Sequence, residues 1–155
     1  VDLHGLFLPL ENYRQEDCYC CGYVAVLTVV RYFNLPVEDQ AVLEAVQSRW
    51  RSSGIGTTQR DMISGLTALG VVARYRDDLD VSALRTYVSL GVPVIITVWP
   101  DGWKMDHWVV VRGFGEGMVY VTNHYTLTNI NFVREWIESW EEGDTGAGII
   151  CTKGR

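Results

Sequence analysis

The sequence predicts an α+β domain in two layers, with helices first and a mostly antiparallel sheet second. Three observations carry this. In the first half, apolar residues recur at helical spacing, beginning with Val24, Leu27 and Thr28 ahead of Arg31 and Tyr32. From Gly91 onward the runs turn short and β-branched, as in V-P-V-I-I-T-V-W at Val92–Trp99. Cap and turn residues divide both halves at the expected places, among them Asn34-x-Pro36, Gly70, Gly91 and Gly117.

The chain has 155 residues, which suits one domain with one core. Hydrophobic residues make up 48% and charged residues 21%, a globular and not a disordered composition. A net charge of −6 with scattered basic residues argues against a nucleic-acid partner. No apolar run has the length of a membrane span; the longest, Gly91–Trp99, reads as a strand. The first residue is Val1 and not Met, which fits a removed leader or a piece of a larger parent protein.

Residues 1–13 read as an extended N-terminal arm broken by Pro9. A first helix is expected from about Cys21 to Phe33, stopped by Asn34 with Pro36 beyond. A second follows from Val37 to about Trp50, with Val42, Leu43 and Val46 on one face. Thr57 or Thr58 caps a third, Gln59–Leu69, which Gly70 ends. Val71–Tyr75 is a short strand, and Asp78 or Asp80 caps a fourth helix over Val81–Leu90. Strands are expected at Val92–Trp99, His107–Gly113 and Met118–Asn123, with a loop at Pro100–Asp106 and a turn at Phe114–Gly117. A last helix, Ile130–Trp140, and a last strand, Gly148–Thr152, complete the chain. There is no internal repeat.

Three of the four cysteines, Cys18, Cys20 and Cys21, fall just before the first helix. A thiol at a helix start meets unpaired N–H groups and the positive end of the helix dipole, both of which favour the thiolate. Gly22 would let backbone or substrate approach that sulfur closely. Adjacent Cys20 and Cys21 in an apolar chain of this length favour free thiols over disulfides, and free thiols favour the cytoplasm. A C-x-C-C site with His4 or His124 lacks a second cysteine pair at ligand spacing, so no metal and no cofactor is expected. A redox role for Cys18 or Cys20 beside Cys21 is compatible with the cluster.

His107, Asn123 and Gln15 are each unremarkable alone: a partly buried strand histidine, a turn asparagine, a solvated loop glutamine. Together they match a need. A cysteine nucleophile requires an imidazole that holds its charge and protonates the leaving group. The imidazole requires an orienting amide or carboxylate, and a side-chain amide near the sulfur can donate to the oxyanion. His107 begins one strand and Asn123 ends the next, so antiparallel pairing brings both to one end of the sheet.

Q-x-x-x-x-x-C-G from Gln15 to Gly22, followed by an apolar helix ending in R-Y-F-N, resembles the bacteriocin-processing papain-like cysteine peptidases that cut after double-glycine leaders, and their stand-alone relatives. G-T-T-Q-R-D-M-I-S-G-L-T-A-L-G, L-R-T-Y-V-S-L-G-V-P-V-I-I-T-V and H-W-V-V-V-R-G-F-G-E-G-M-V-Y-V-T-N are similar to that family's middle and its histidine hairpin. The resemblance covers about Gln15 to Asn129. It implies a single papain-like domain over 1–155 that acts on a peptide or protein substrate, with a transporter or larger protein as parent. It implies Cys21 as nucleophile, being the cysteine followed by glycine, with Cys18 and Cys20 as rivals. It implies Gln15 as oxyanion donor and His107 as base. Asn123 stands where the family usually has aspartate, often followed by proline; Asn123-His124 departs from both. Trp103 and Trp108 are expected to wall the cleft as well as pack, and Trp99 to lie in the core. Two rival readings keep the fold: an acyltransferase or transpeptidase with the same site, and a weakly active or inactive substrate-binding domain.

Overall fold

The computed structural model describes residues 5–11, 21–47, 57–99, 107–122, 127–137 and 143–154; Cys21, Gln47 and residues 127–130 are described by backbone alone. Among these, five helices and seven strands form the expected α+β arrangement. In chain order they are β1 (Leu6–Phe7), α1 (Cys21–Tyr32), α2 (Asp39–Gln47), α3 (Gln59–Ala68), β2 (Val71–Leu79), α4 (Val81–Ser89), β3 (Val94–Val98), β4 (His107–Gly115), β5 (Met118–Val121), β6 (Leu127–Thr128), α5 (Asn129–Trp136) and β7 (Gly146–Lys153).

All strand pairs are antiparallel, in the order β2-β7-β3-β4-β5-β6, with β1 also on β4. The N-terminal arm therefore adds a short strand, and Leu8 N–H extends it by donating to the Arg112 carbonyl at 2.8 Å.

α1 is the central helix. Val24, Ala25, Val26, Leu27, Val29 and Val30 are all buried, so it is apolar on every side, as a helix covered on every side must be. Burial of each valine or leucine contributes about 1.5–3 kcal/mol, which outweighs the few tenths of a kcal/mol by which β-branched residues disfavour a helix. The one buried hydroxyl, Thr28, donates to the Val24 carbonyl at 2.7 Å. Asn34, at φ 53, ends the helix: its N–H donates to Arg31 carbonyl at 3.1 Å and Leu35 N–H to Val30 carbonyl at 3.2 Å. Arg31 then bonds the Val37 carbonyl and pairs with Asp39, which fixes the entry to α2.

Thr58 and Asp80 are the caps of α3 and α4; their side chains accept from Asp61 N–H at 3.2 Å and Ala83 N–H at 2.7 Å. Several expectations need correction. β2 runs on to Leu79 because its second half is an edge strand; Arg76, Asp77 and Asp78 face water there, and Arg76 bonds both Asp78 and the Tyr87 hydroxyl. The β4–β5 turn is Glu116-Gly117, both at positive φ, and Phe114 and Gly115 belong to the strand. β7 begins at Gly146, two residues early, since it pairs there with Leu79 of the extended β2; a Cβ on that glycine would stand 2.5 Å from Trp136 Cε2. Helix α2 starts at Asp39 and β3 at Val94; β6 has no counterpart among the expected elements. Trp99 is not in the core. It follows the last ladder residue of β3, its N–H donates to the Glu135 carbonyl of α5 at 2.7 Å, and it is 49% exposed. Among the described residues no helix is long and apolar enough to cross a membrane.

Candidate active site

α1 begins at Cys21, so the backbone of the expected nucleophile stands at the positive end of the most buried helix. Its neighbour Gly22 has a packing role. A Cβ there would lie 2.8 Å from Thr57 Oγ1, 3.0 Å from Thr57 Cβ and 3.2 Å from Met62 Sδ. Glycine is thus required for α1 to seat against the start of α3, and the close approach it permits is to Thr57.

His107 opens β4, opposite Val98 of β3, and is 1% exposed. A buried imidazole is held in a fixed position by its packing, which a base serving one sulfur needs. The next residue, Trp108, is 9% exposed, and its indole N–H donates to the Thr57 carbonyl at 2.8 Å. Thr57 therefore joins both sides. Its side chain is packed on the residue after Cys21, and its carbonyl holds the residue after His107. It is itself 7% exposed, and Thr58 beside it caps α3. Sequence reading found Thr57 only as an alternative cap. Its bond to an indole 51 residues away is non-local and has no signature in the sequence.

The hairpin returns as expected. Beyond the last paired residue of β5, Thr122 N–H donates to the Val110 carbonyl and Thr122 Oγ1 accepts from Val110 N–H, both at 2.9 Å. Thr122 is the residue before Asn123, so the described chain heads toward the His107 end of β4. Asn123 itself, with Gln15, Cys18, Cys20 and Trp103, lies outside the described residues.

The fourth cysteine, Cys151, is a free thiol in the second half of β7 and is fully buried. Burial pushes its ionisation far above that of an ordinary thiol. It should be inert: alkylation of the native protein at neutral pH is expected to spare Cys151, which reacts only after denaturation, as mass mapping before and after unfolding would record. Native labelling of Cys151 at the rate of an exposed thiol would contradict its burial. Among the described residues no group of three or more histidine, cysteine or acidic side chains gathers to hold a metal.

The model of the Peptidase_C39 like family matches residues 7–143 of this chain. Solved structures share the fold. The peptidase domain of Streptococcus ComA, a bi-functional ABC transporter involved in a quorum-sensing pathway, is 18% identical, with a TM-score of 0.69 over 99% of each chain. A double glycine motif protease from an AMS/PCAT transporter, solved in complex with the leader peptide, is 17% identical, with a TM-score of 0.69 over 98% of this chain and 99% of that one. A C39-like peptidase from Bacillus anthracis is 14% identical, with a TM-score of 0.70 over 98% of this chain and 100% of that one. No curated protein matches the sequence significantly.

Proposed function

This chain belongs to the Peptidase_C39 like family, and from that premise we propose that it is a cysteine peptidase that cleaves a peptide bond after small residues, as at the end of a leader peptide. The observation that supports this most is the Trp108–Thr57–Gly22 link, which ties the strand of His107 to the helix of Cys21 through one buried threonine.

In this reading the Cys21 thiolate attacks the scissile carbonyl carbon. The C–O π electrons move to oxygen, and the oxyanion takes hydrogen bonds from the Gln15 side-chain amide and the Cys21 backbone N–H. As the oxyanion collapses, the C–N bond breaks and the His107 imidazolium gives its proton to the leaving amine. Water, deprotonated by His107, then attacks the thioester carbonyl. The new carboxylic acid leaves and the thiolate returns. Asn123 orients the imidazole through its side-chain oxygen.

The test is incubation with a synthetic leader-type peptide carrying Gly-Gly before the scissile bond, and with a twin carrying Val-Val. The reading expects one product pair from the first, with the cut after the second glycine by mass, and none from the second. Intact peptide in both arms would overturn it. A mass gain equal to an added amine would move the reaction to acyl transfer.

Asn123 also predicts a pH dependence. An amide orients the ring without adding charge, whereas a carboxylate favours the imidazolium. Asn123→Asp should therefore carry the upper limb of the pH–rate profile to higher pH, because the protonated ring persists longer. The lower limb, governed by the thiol, should move less. Asn123→Ala should lower the rate across the range by about 10- to 100-fold, as loss of an orienting partner does elsewhere. Equal profiles for Asn123→Ala and the parent would make Asn123 a turn residue and leave a Cys21–His107 pair.

A further inference from the structure

We propose that Thr122 is a positioning residue for the reaction: its buried hydroxyl, standing in for its own carbonyl, ends the β5 ladder and sets the course on which the chain carries Asn123 toward His107. This rests on the reading of Asn123 as the group that orients the imidazole.

The register of the hairpin defines what an ordinary rung would be here. Val111 pairs with Val121, so the next rung brings Val110 opposite Thr122. Thr122 N–H donates to the Val110 carbonyl at 2.9 Å, which marks a rung of the kind in which two residues exchange both of their backbone bonds. The second bond of such a rung runs from Val110 N–H to the Thr122 carbonyl. Instead, Val110 N–H donates to Thr122 Oγ1, also at 2.9 Å. β5 accordingly ends at Val121.

Burial gives this exchange its consequence. Val110 is fully buried and Thr122 is 1% exposed, so water does not serve the Val110 N–H and an acceptor must come from the chain. Valine, which β5 uses at Val119 and Val121, fills nearly the space of threonine but offers no lone pair. With valine at this position only the backbone carbonyl could meet that N–H, and the ladder would run on. With threonine the hydroxyl meets it, and the carbonyl is released from the ladder.

The peptide unit that leaves Thr122 decides where the next side chain stands. Continued in register, the ladder would set Asn123 opposite Val109, about 7 Å along the strand from the level of His107. Its amide would then have to reach diagonally across the ladder. Release of the carbonyl lets the chain turn toward the His107 end instead. The hydroxyl thus sets the distance over which the amide acts on the ring, although Thr122 touches neither the ring nor the substrate.

The readout is the His107 ring, followed by NMR titration of its ring protons in the full chain and identified by their loss in His107→Gln. Asn123→Asp should raise the titration midpoint of His107, since a carboxylate beside the ring favours the imidazolium. The size of that rise reports how near position 123 stands, and it needs no substrate. Charged groups by the end of β3, Glu135 of α5 among them, are common to every background and cancel in the difference. The rise should fall to about half or less in Thr122→Val, as a longer separation gives, and should be kept in Thr122→Ser, which retains the hydroxyl. Thr122→Ala takes the place of Thr122→Val if the latter does not fold. On the Gly-Gly peptide Thr122→Val should lose about tenfold in rate and should add nothing to the loss in Asn123→Ala. An undiminished rise in folded Thr122→Val would overturn the role of Thr122 and leave Asn123 beside His107. No rise in any background would overturn both. The expected pattern in a chain that leaves the Gly-Gly peptide intact would keep the positioning link and remove the peptidase reading.

Discussion

Cys21→Ala should abolish cleavage of a Gly-Gly peptide, and His107→Gln should fall almost as far. In the proposed mechanism the Cys21 sulfur forms the bond to the scissile carbonyl, and no later step proceeds without it. A group acting as one unit with its base typically loses about 10,000-fold or more when either member is removed. For the same reason the double variant should be no slower than the worse single one. His107→Gln is the better choice than alanine because His107 is among the largest fully buried side chains, and truncation there would leave a cavity that costs about 2–5 kcal/mol in comparable core positions. Rates are compared with folding checked by circular dichroism. Cys21→Ala with more than about a tenth of the parent rate would remove Cys21 from the reaction.

Gly22→Ala should damage the protein although it touches no reacting group. Alanine in place of glycine inside a helix gains about 1 kcal/mol from the chain alone. Against this, the new methyl would stand 2.8 Å and 3.0 Å from Thr57 Oγ1 and Cβ. The Cβ cannot swing away, because it is fixed to a backbone whose carbonyl is held by the Trp108 indole. Overpacking of this kind costs about 1–3 kcal/mol, so the net effect should be a loss, read as a fall in Tm of several degrees. The start of α1 would also move relative to β4, so cleavage should drop by about 100-fold, the usual scale for a misplacement of about 1 Å. Thr57→Gly in the same chain removes both clashing atoms, and the double-mutant cycle should show positive coupling. Unchanged Tm and rate in Gly22→Ala would mean that Thr57 yields freely and does not position the site.

Much of the frame was legible because local chemistry and tertiary need agree. The run from Val24 to Val30 is apolar on every side because α1 is covered on every side, and Asn34, Thr58 and Asp80 act at helix ends through their own side chains or backbone. What was not legible depends on distant partners. The charged half of β2 reads as loop because an edge strand needs only one covered face. Trp99 reads as core because it continues a β-branched run, while the structure turns it outward where the ladder ends. Thr57 gains its importance from Trp108 and Gly22, both far from it in the chain. Cys21 and His107 stood out by chemistry and resemblance, and the helix start and strand start are where the described backbone has them. Gln15 and Asn123 rest on the resemblance, outside the described residues.

The central claim is that Cys21 is a thiolate nucleophile served by His107. The most direct measurement is the rate of iodoacetamide alkylation against pH, with each cysteine resolved by peptide mapping, in the parent, Cys18→Ala, Cys20→Ala and His107→Gln. The account predicts that Cys21 alkylates first in the parent and in both cysteine variants, and that it still reacts well below the free thiol value of about 8.5. It also predicts that His107→Gln moves its reactivity up toward that value. Equal labelling of Cys18 or Cys20, or a Cys21 profile centred at an ordinary thiol value and unchanged in His107→Gln, would contradict it.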